Sequence, residues 1–171
     1  MHFYMLHKTI KWRYNQFMSN YKSAIILGMH DAIVSLTGLI AGLFFAFTDT
    51  NIIVISCVMS SITASLSMGA ANYWAVKAEN RTIALKSALC TGGAYMLTCV
   101  LLILPFFVSL GRAATLAAIV AIAVGIIFAF NFFFYRGAAF YKHFFEMLGI
   151  CTAVSIVAFA IGEFAHNLFG I

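Results

Sequence analysis

The stretch from Ser23 to Phe47, SAIILGMHDAIVSLTGLIAGLFFAF, is long and apolar enough to cross a bilayer, yet it carries His30 and Asp31 side by side. An aspartate at the centre of a membrane helix costs about 2.5–3.5 kcal/mol on insertion scales. Such carboxylates are rare, face protein or water, and by default mark ion or proton pathways.

The rest of the chain has the same character. Of its 171 residues, 64% are hydrophobic and 9% charged, where a soluble domain carries roughly a quarter charged residues. Further apolar runs fall at about 52–76, 86–109, 113–135 and 144–168, with the first at 24–47. Each spans about 30 Å of hydrocarbon as a helix, and the alternation of a membrane β-barrel is missing. The expected fold is an all-α membrane protein: a five-helix transmembrane domain over 24–171, preceded by a cytoplasmic interfacial segment over 1–23.

That first segment is basic and aromatic, which suits a helix lying on the leaflet. No apolar region with a small-residue cleavage site precedes the first span, so it does not read as a signal peptide.

Lys8, Lys11, Arg13, Lys22, Lys77, Arg81, Lys86, Arg136 and Lys142 fall on one side of the predicted spans, and Arg112 alone on the other, with Asp49. The positive-inside rule then puts the N-terminus in the cytoplasm and the C-terminus outside. The net charge of +5 follows from that asymmetry and calls for no nucleic acid. Cys57, Cys90, Cys99 and Cys151 lie inside predicted helices without a CxxC pair and read as small apolar packing residues.

Residues three, four and seven apart share a helix face. From Asp31 that face runs through Ser35, Gly38 and Gly42, with Gly28 one turn earlier. Small residues of this kind let backbones approach closely, so Asp31 points into a helix contact or a wet cavity. The second helix carries a polar stripe of Ser61, Ser65, Met68, Asn72, Val76 and Glu79, with Met68 at a depth comparable to Asp31. Carboxylate oxygen beside thioether sulfur suits late first-row ions better than Mg²⁺ or Ca²⁺. Repeated about a two-fold axis, the pair gives two carboxylates and two sulfurs around one ion.

For other polar positions two readings stay open. His30 lies about 100° round the helix from Asp31 and is either a helix contact or a metal or proton group. Glu79 is a lone ligand at the cytoplasmic mouth or a helix-end partner of Arg81 or Lys77. Glu163 and His166 pair with each other at the head-group boundary or receive an ion on exit. Glu146 reads as an acid in the first turn of the fifth helix. Asn131 reads as an interhelical hydrogen bond, and Tyr73, Trp74, Tyr135 and Tyr141 as aromatic belt.

GMHDAIVSLTGLIAG (28–42) followed by ASLSMGAANYWAVKAE (64–79) resembles the paired signature of the vacuolar iron transporter family. GGAYMLTCVLLILPFF (92–107) resembles that family's third helix, and the stretch from Phe130 to Ile171 resembles the fourth and fifth helices of short bacterial members. The resemblance implies a homodimeric transporter of Fe²⁺ or Mn²⁺, with metal passing between the first and second helices of two protomers. It also implies proton antiport out of the cytoplasm and a bacterial inner membrane. It assigns ion binding to Asp31 and Met68, with Asn72, Glu79, His30 and Ser35 as secondary candidates.

No permanent cofactor is implied; the metal is cargo. The chain departs from the family pattern at Ala32, where the family has glycine, and at Ser60, where plant members carry an acid. Its connection between the second and third helices, about Lys77 to Lys86, also lacks the long Glu-rich insertion of plant members. No nucleophile–base arrangement, phosphate loop or hydrolase spacing appears, so an enzyme is not expected. The competing reading is a non-transporting scaffold or metal sensor on the same fold.

The topology has a direct test. Single cysteines placed at Asp49 and at Lys86 are expected to label from opposite sides of the membrane; labelling of both from one side overturns the predicted orientation.

Overall fold

Each helix follows from an apolar run closed by a polar or proline-containing break. The computed structural model describes residues 2–108, 111–135 and 138–169. Arg136, counted in the charge asymmetry, lies outside the described residues. The elements are α1 (His2–Ala46), α2 (Thr50–Glu79), α3 (Ala84–Ile103), a 3₁₀ turn (Leu104–Phe107), α4 (Arg112–Phe134) and α5 (Ala138–Phe169). Among the described residues five segments are long and apolar enough to cross a membrane: Tyr21–Ala46, Thr50–Glu79, Ala84–Phe107, Arg112–Phe133 and Ala139–Leu168. All five expected spans are present, each shifted by a few residues at most at its N-terminal end. The segment read as interfacial is helical and runs unbroken into the first span as part of α1.

The breaks are chemically explicit. Pro105 lacks the N–H that would continue α3, and the chain tightens there into the 3₁₀ turn. Asp49 caps α2, its carboxylate accepting from the Asn51 N–H at 2.8 Å, as orphan helix donors require. Arg112 closes the other side of the same hairpin. Its guanidinium donates to the carbonyls of Thr48 at 2.9 Å, Phe47 at 2.6 Å and Phe44, and lies over the Phe44 ring. A cation on the orphan carbonyls of a helix C-terminus is favourable, so the lone basic residue of this end has a structural task.

Helix order in space differs from helix order in the chain. α1 packs mainly against α5 and α3, and α2 mainly against α3, while α1 and α2 touch over a shorter stretch. Glycine sets these contacts. The backbone of Gly28 approaches the Thr91 carbonyl of α3, and Gly162 of α5 approaches the Gly42 carbonyl. Gly69 and Gly92 face each other between α2 and α3, where an added Cβ would meet the Ala88 and Ser65 carbonyls at 3.3 and 3.0 Å. The core follows from these approaches: Ala32, Ile33, Leu36 and Ile40 of α1 meet Ile53 and Cys57 of α2 and Tyr95, Cys99 and Leu102 of α3. Cys57, Cys99 and Cys151 are buried and unpaired in that packing.

Several expectations change here. Gly38 and Gly42, on the small-residue face that carries Asp31, lie against Val154 and Ala158 of α5 in the same chain, while Asp31 itself is exposed. The stripe on α2 turns towards α3: Ser61 and Ser65 are buried, and Asn72 bonds to α3. Glu146 is not in the first turn, because α5 begins at Ala138; it pairs instead with His143 at 3.6 Å. No ion pair to Glu79, and none between Glu163 and His166, occurs among the described residues. Lys77 lies over the rings of Tyr73 and Trp74 at 5.0 and 4.5 Å, a favourable cation–π arrangement at the end of a span.

The glycine contacts make a paired test. Gly162→Ala forces a methyl against the Gly42 carbonyl and is expected to destabilise the bundle by about 1–3 kcal/mol. Gly149→Ala on the same helix meets nothing within 4 Å and is expected to be neutral or slightly stabilising in detergent unfolding.

Candidate metal site

Asp31 lies eight residues beyond Ser23, where the apolar stretch begins, or about 12 Å along the helix axis. The helix places it on the outside of the protomer: Leu27, Asp31 and Ser35, one turn apart, are all exposed along one stripe of α1. Ala32, the next residue along the helix, is completely buried, so its methyl fills core space.

Ser35 joins this stripe to α3. Its hydroxyl donates to the Asp31 backbone carbonyl at 2.6 Å and shares a second hydrogen bond, 2.7 Å long, with the Tyr95 hydroxyl. Tyr95 is 2% exposed and packs beside the buried Cys99 in the core. Towards the α1–α2 hairpin the stripe opens into a groove of about 510 Å³ between α1 and α5, floored by Gly38, Gly42, Ala158 and Gly162.

The remaining candidates are dispersed. Met68 is half-buried on α2 and packs against the core cluster. It lies eight residues before Val76, where the second apolar run ends, about 12 Å along that helix, a depth comparable to that of Asp31. The amide oxygen of Asn72 accepts from Ser87 of α3 at 2.7 Å and serves a helix contact. Glu79 is exposed at the last position of α2.

His30 faces away from Asp31. Its ring meets Phe130 of α4 edge-on with centroids 5.4 Å apart, and its Nε2 is buried without a hydrogen-bond partner. Asn131 is wholly buried; its Nδ2 donates to the Ile127 carbonyl at 2.8 Å and approaches the Met147 sulfur of α5 at 3.7 Å.

The structure thus brings Asp31 and Ser35 together, sets Met68 at a comparable depth, and separates His30, Asn72 and Glu79 from them. Among the described residues no three His, Cys, Asp or Glu side chains come together. The chain therefore presents a carboxylate and a hydroxyl on an open face, a sparse set for a divalent ion. Tyr95 was missed in the sequence. Its signal was present all the same: a tyrosine eleven residues into a span has a hydroxyl that needs a partner away from water.

Residues 22–84 match the model of the VIT family. Over these residues, a little over a third of the chain, the sequence is similar to that family. The match covers the first span, α2 and the connection to α3, the part of the chain that holds Asp31, Ser35 and Met68. The family is one of membrane metal-ion transporters rather than enzymes, and the apolar spans agree with an integral, multi-pass membrane protein. No curated protein matches the chain.

Proposed function

We propose that the chain is a homodimeric transporter that moves Fe²⁺ or Mn²⁺ out of the cytoplasm in exchange for protons, in a bacterial inner membrane. The observation that carries this is the outward-facing carboxylate of Asp31 within the first span. A carboxylate there is too costly to leave against lipid, and a second copy covering the Leu27–Asp31–Ser35 stripe removes it from lipid. The same docking brings two carboxylates to one axis. Met68 supplies the soft sulfur that discriminates against Mg²⁺ and Ca²⁺.

Exchange follows from the ligands. Metal binds the deprotonated carboxylate, so loading the site releases protons and unloading takes them up. The flux is therefore pH-dependent in a way that a neutral pore is not. Ser35 adds an oxygen next to Asp31. With no long cytosolic insertion, an ion reaches the site straight from solution past the α2–α3 turn, where Glu79 is the nearest acid.

A sensor or scaffold on the same fold would bind metal without moving it, and the chain's departure at Ser60 favours testing that directly. In proteoliposomes Asp31→Asn is expected to abolish Fe²⁺ and Mn²⁺ flux while the protein still folds; parental flux in this variant overturns the assignment. Met68→Leu should blur selectivity for Fe²⁺ more than it lowers total flux. Metal binding by the parent with no flux under any pH gradient would establish the sensor instead.

The dimer has its own test. Leu27→Cys, one turn from Asp31 on the exposed stripe, is expected to cross-link protomers in the membrane. Transport by a strictly monomeric preparation sinks the shared site.

A further inference from the structure

The hydrogen bond between Ser35 and Tyr95 has a direction. Ser35 has one hydroxyl proton, and it is donated to the Asp31 carbonyl. The 2.7 Å contact with Tyr95 must then run from the Tyr95 O–H to the Ser35 oxygen, because a hydroxyl carries one donor and two acceptor positions. One lone pair of Ser35 is occupied by Tyr95 and its proton is held by the backbone. What remains is a single lone pair on a side chain exposed along the Asp31 stripe.

We propose that Tyr95 is a positioning residue for the metal site: from α3 it locks the Ser35 hydroxyl so that its free lone pair stands beside the Asp31 carboxylate. This rests on the reading of Asp31 as the metal-binding group. Three observations make the lock rigid. Tyr95 is 2% exposed and packed in the core with Leu36, Cys99 and Leu102. α3 is pinned to α1 close by, where the Gly28 backbone meets Thr91. Ser35 is anchored at both its proton and one lone pair, so it cannot turn without breaking a bond away from water.

A ligand held in its binding rotamer loses no rotamer freedom when the ion arrives, and freeing it lowers affinity without altering the later steps. Tyr95→Phe keeps the ring and removes only the donor. In reconstituted vesicles it is expected to raise the half-saturating Mn²⁺ concentration about fivefold, the usual worth of one hydrogen bond, with the maximal rate unchanged. Ser35→Ala should give a shift of the same order. The double variant should be no worse than Ser35→Ala alone, because the two side chains act as one unit.

A tyrosine that merely fills the core gives a different pattern: Tyr95→Phe lowers the melting temperature in detergent and leaves half-saturation where it was. That result, or additive shifts in the double variant, overturns the inference. If Tyr95→Phe does not accumulate, Ser35→Ala decides: its side chain is exposed, so the fold tolerates the change, and unchanged half-saturation again overturns it. Asp31→Asn run alongside separates the two levels. Lost flux there with unshifted Tyr95→Phe leaves the metal site standing without this lock, whereas parental flux in Asp31→Asn removes the site and the lock together.

Discussion

Backbone-to-backbone approach at glycine is the constraint on which the rest of this bundle depends. Inside a bilayer lipid tails are as apolar as leucine, so burial alone does not drive helices together and close packing must. Gly28 brings α1 onto Thr91 of α3, Gly42 and Gly162 bring it onto α5, and Gly69 with Gly92 joins α2 to α3. α1 is thereby held on two sides along its length. The face left over is the one with Leu27, Asp31 and Ser35. The exposure of the carboxylate is thus a consequence of how tightly the other faces are engaged.

The polar side chains obey the same rule of internal satisfaction. Thr91, Thr98 and Thr152 return their hydroxyl protons to their own helices, to the Ser87, Ala94 and Leu148 carbonyls. Asn72 and Ser87 bond across α2 and α3. Against that background the outward face of α1 is unusual in offering an acid, a hydroxyl and no hydrocarbon cover. The buried Nε2 of His30 and Oδ1 of Asn131 stand without partners on the opposite flank, near Phe130, and belong to a different helix contact.

The number and extent of the helices could be read from the apolar runs because spanning length depends only on local composition. Asp31 stands out in the sequence for a different reason, since one acid in an apolar run asks for a protein or water partner. Pairing of helices could not be read. Gly38 and Gly42 announce a close contact but do not name the partner, and Ala158 and Gly162 on α5 offer a matching small-residue pair within the same chain. The stripe of Ser61, Ser65 and Asn72 likewise fits any neighbour that supplies small residues and a hydroxyl, and α3 supplies Gly92 and Ser87. Tyr95 carries a weaker signal: tyrosines near span ends belong to the interface, whereas this one lies at the middle of its helix and bonds to a residue sixty positions away.

The Arg112 clasp bears on where the protein can work. It joins the guanidinium to main-chain carbonyls at Phe44, Phe47 and Thr48, with no carboxylate in the linkage. A guanidinium stays charged in proteins and a peptide carbonyl does not titrate. Acidification next to this hairpin leaves the clasp intact where an arginine–carboxylate pair would let go. At this hairpin the Asp49 cap of α2 is the part that answers to acid, and the clasp on α1 is the part that does not.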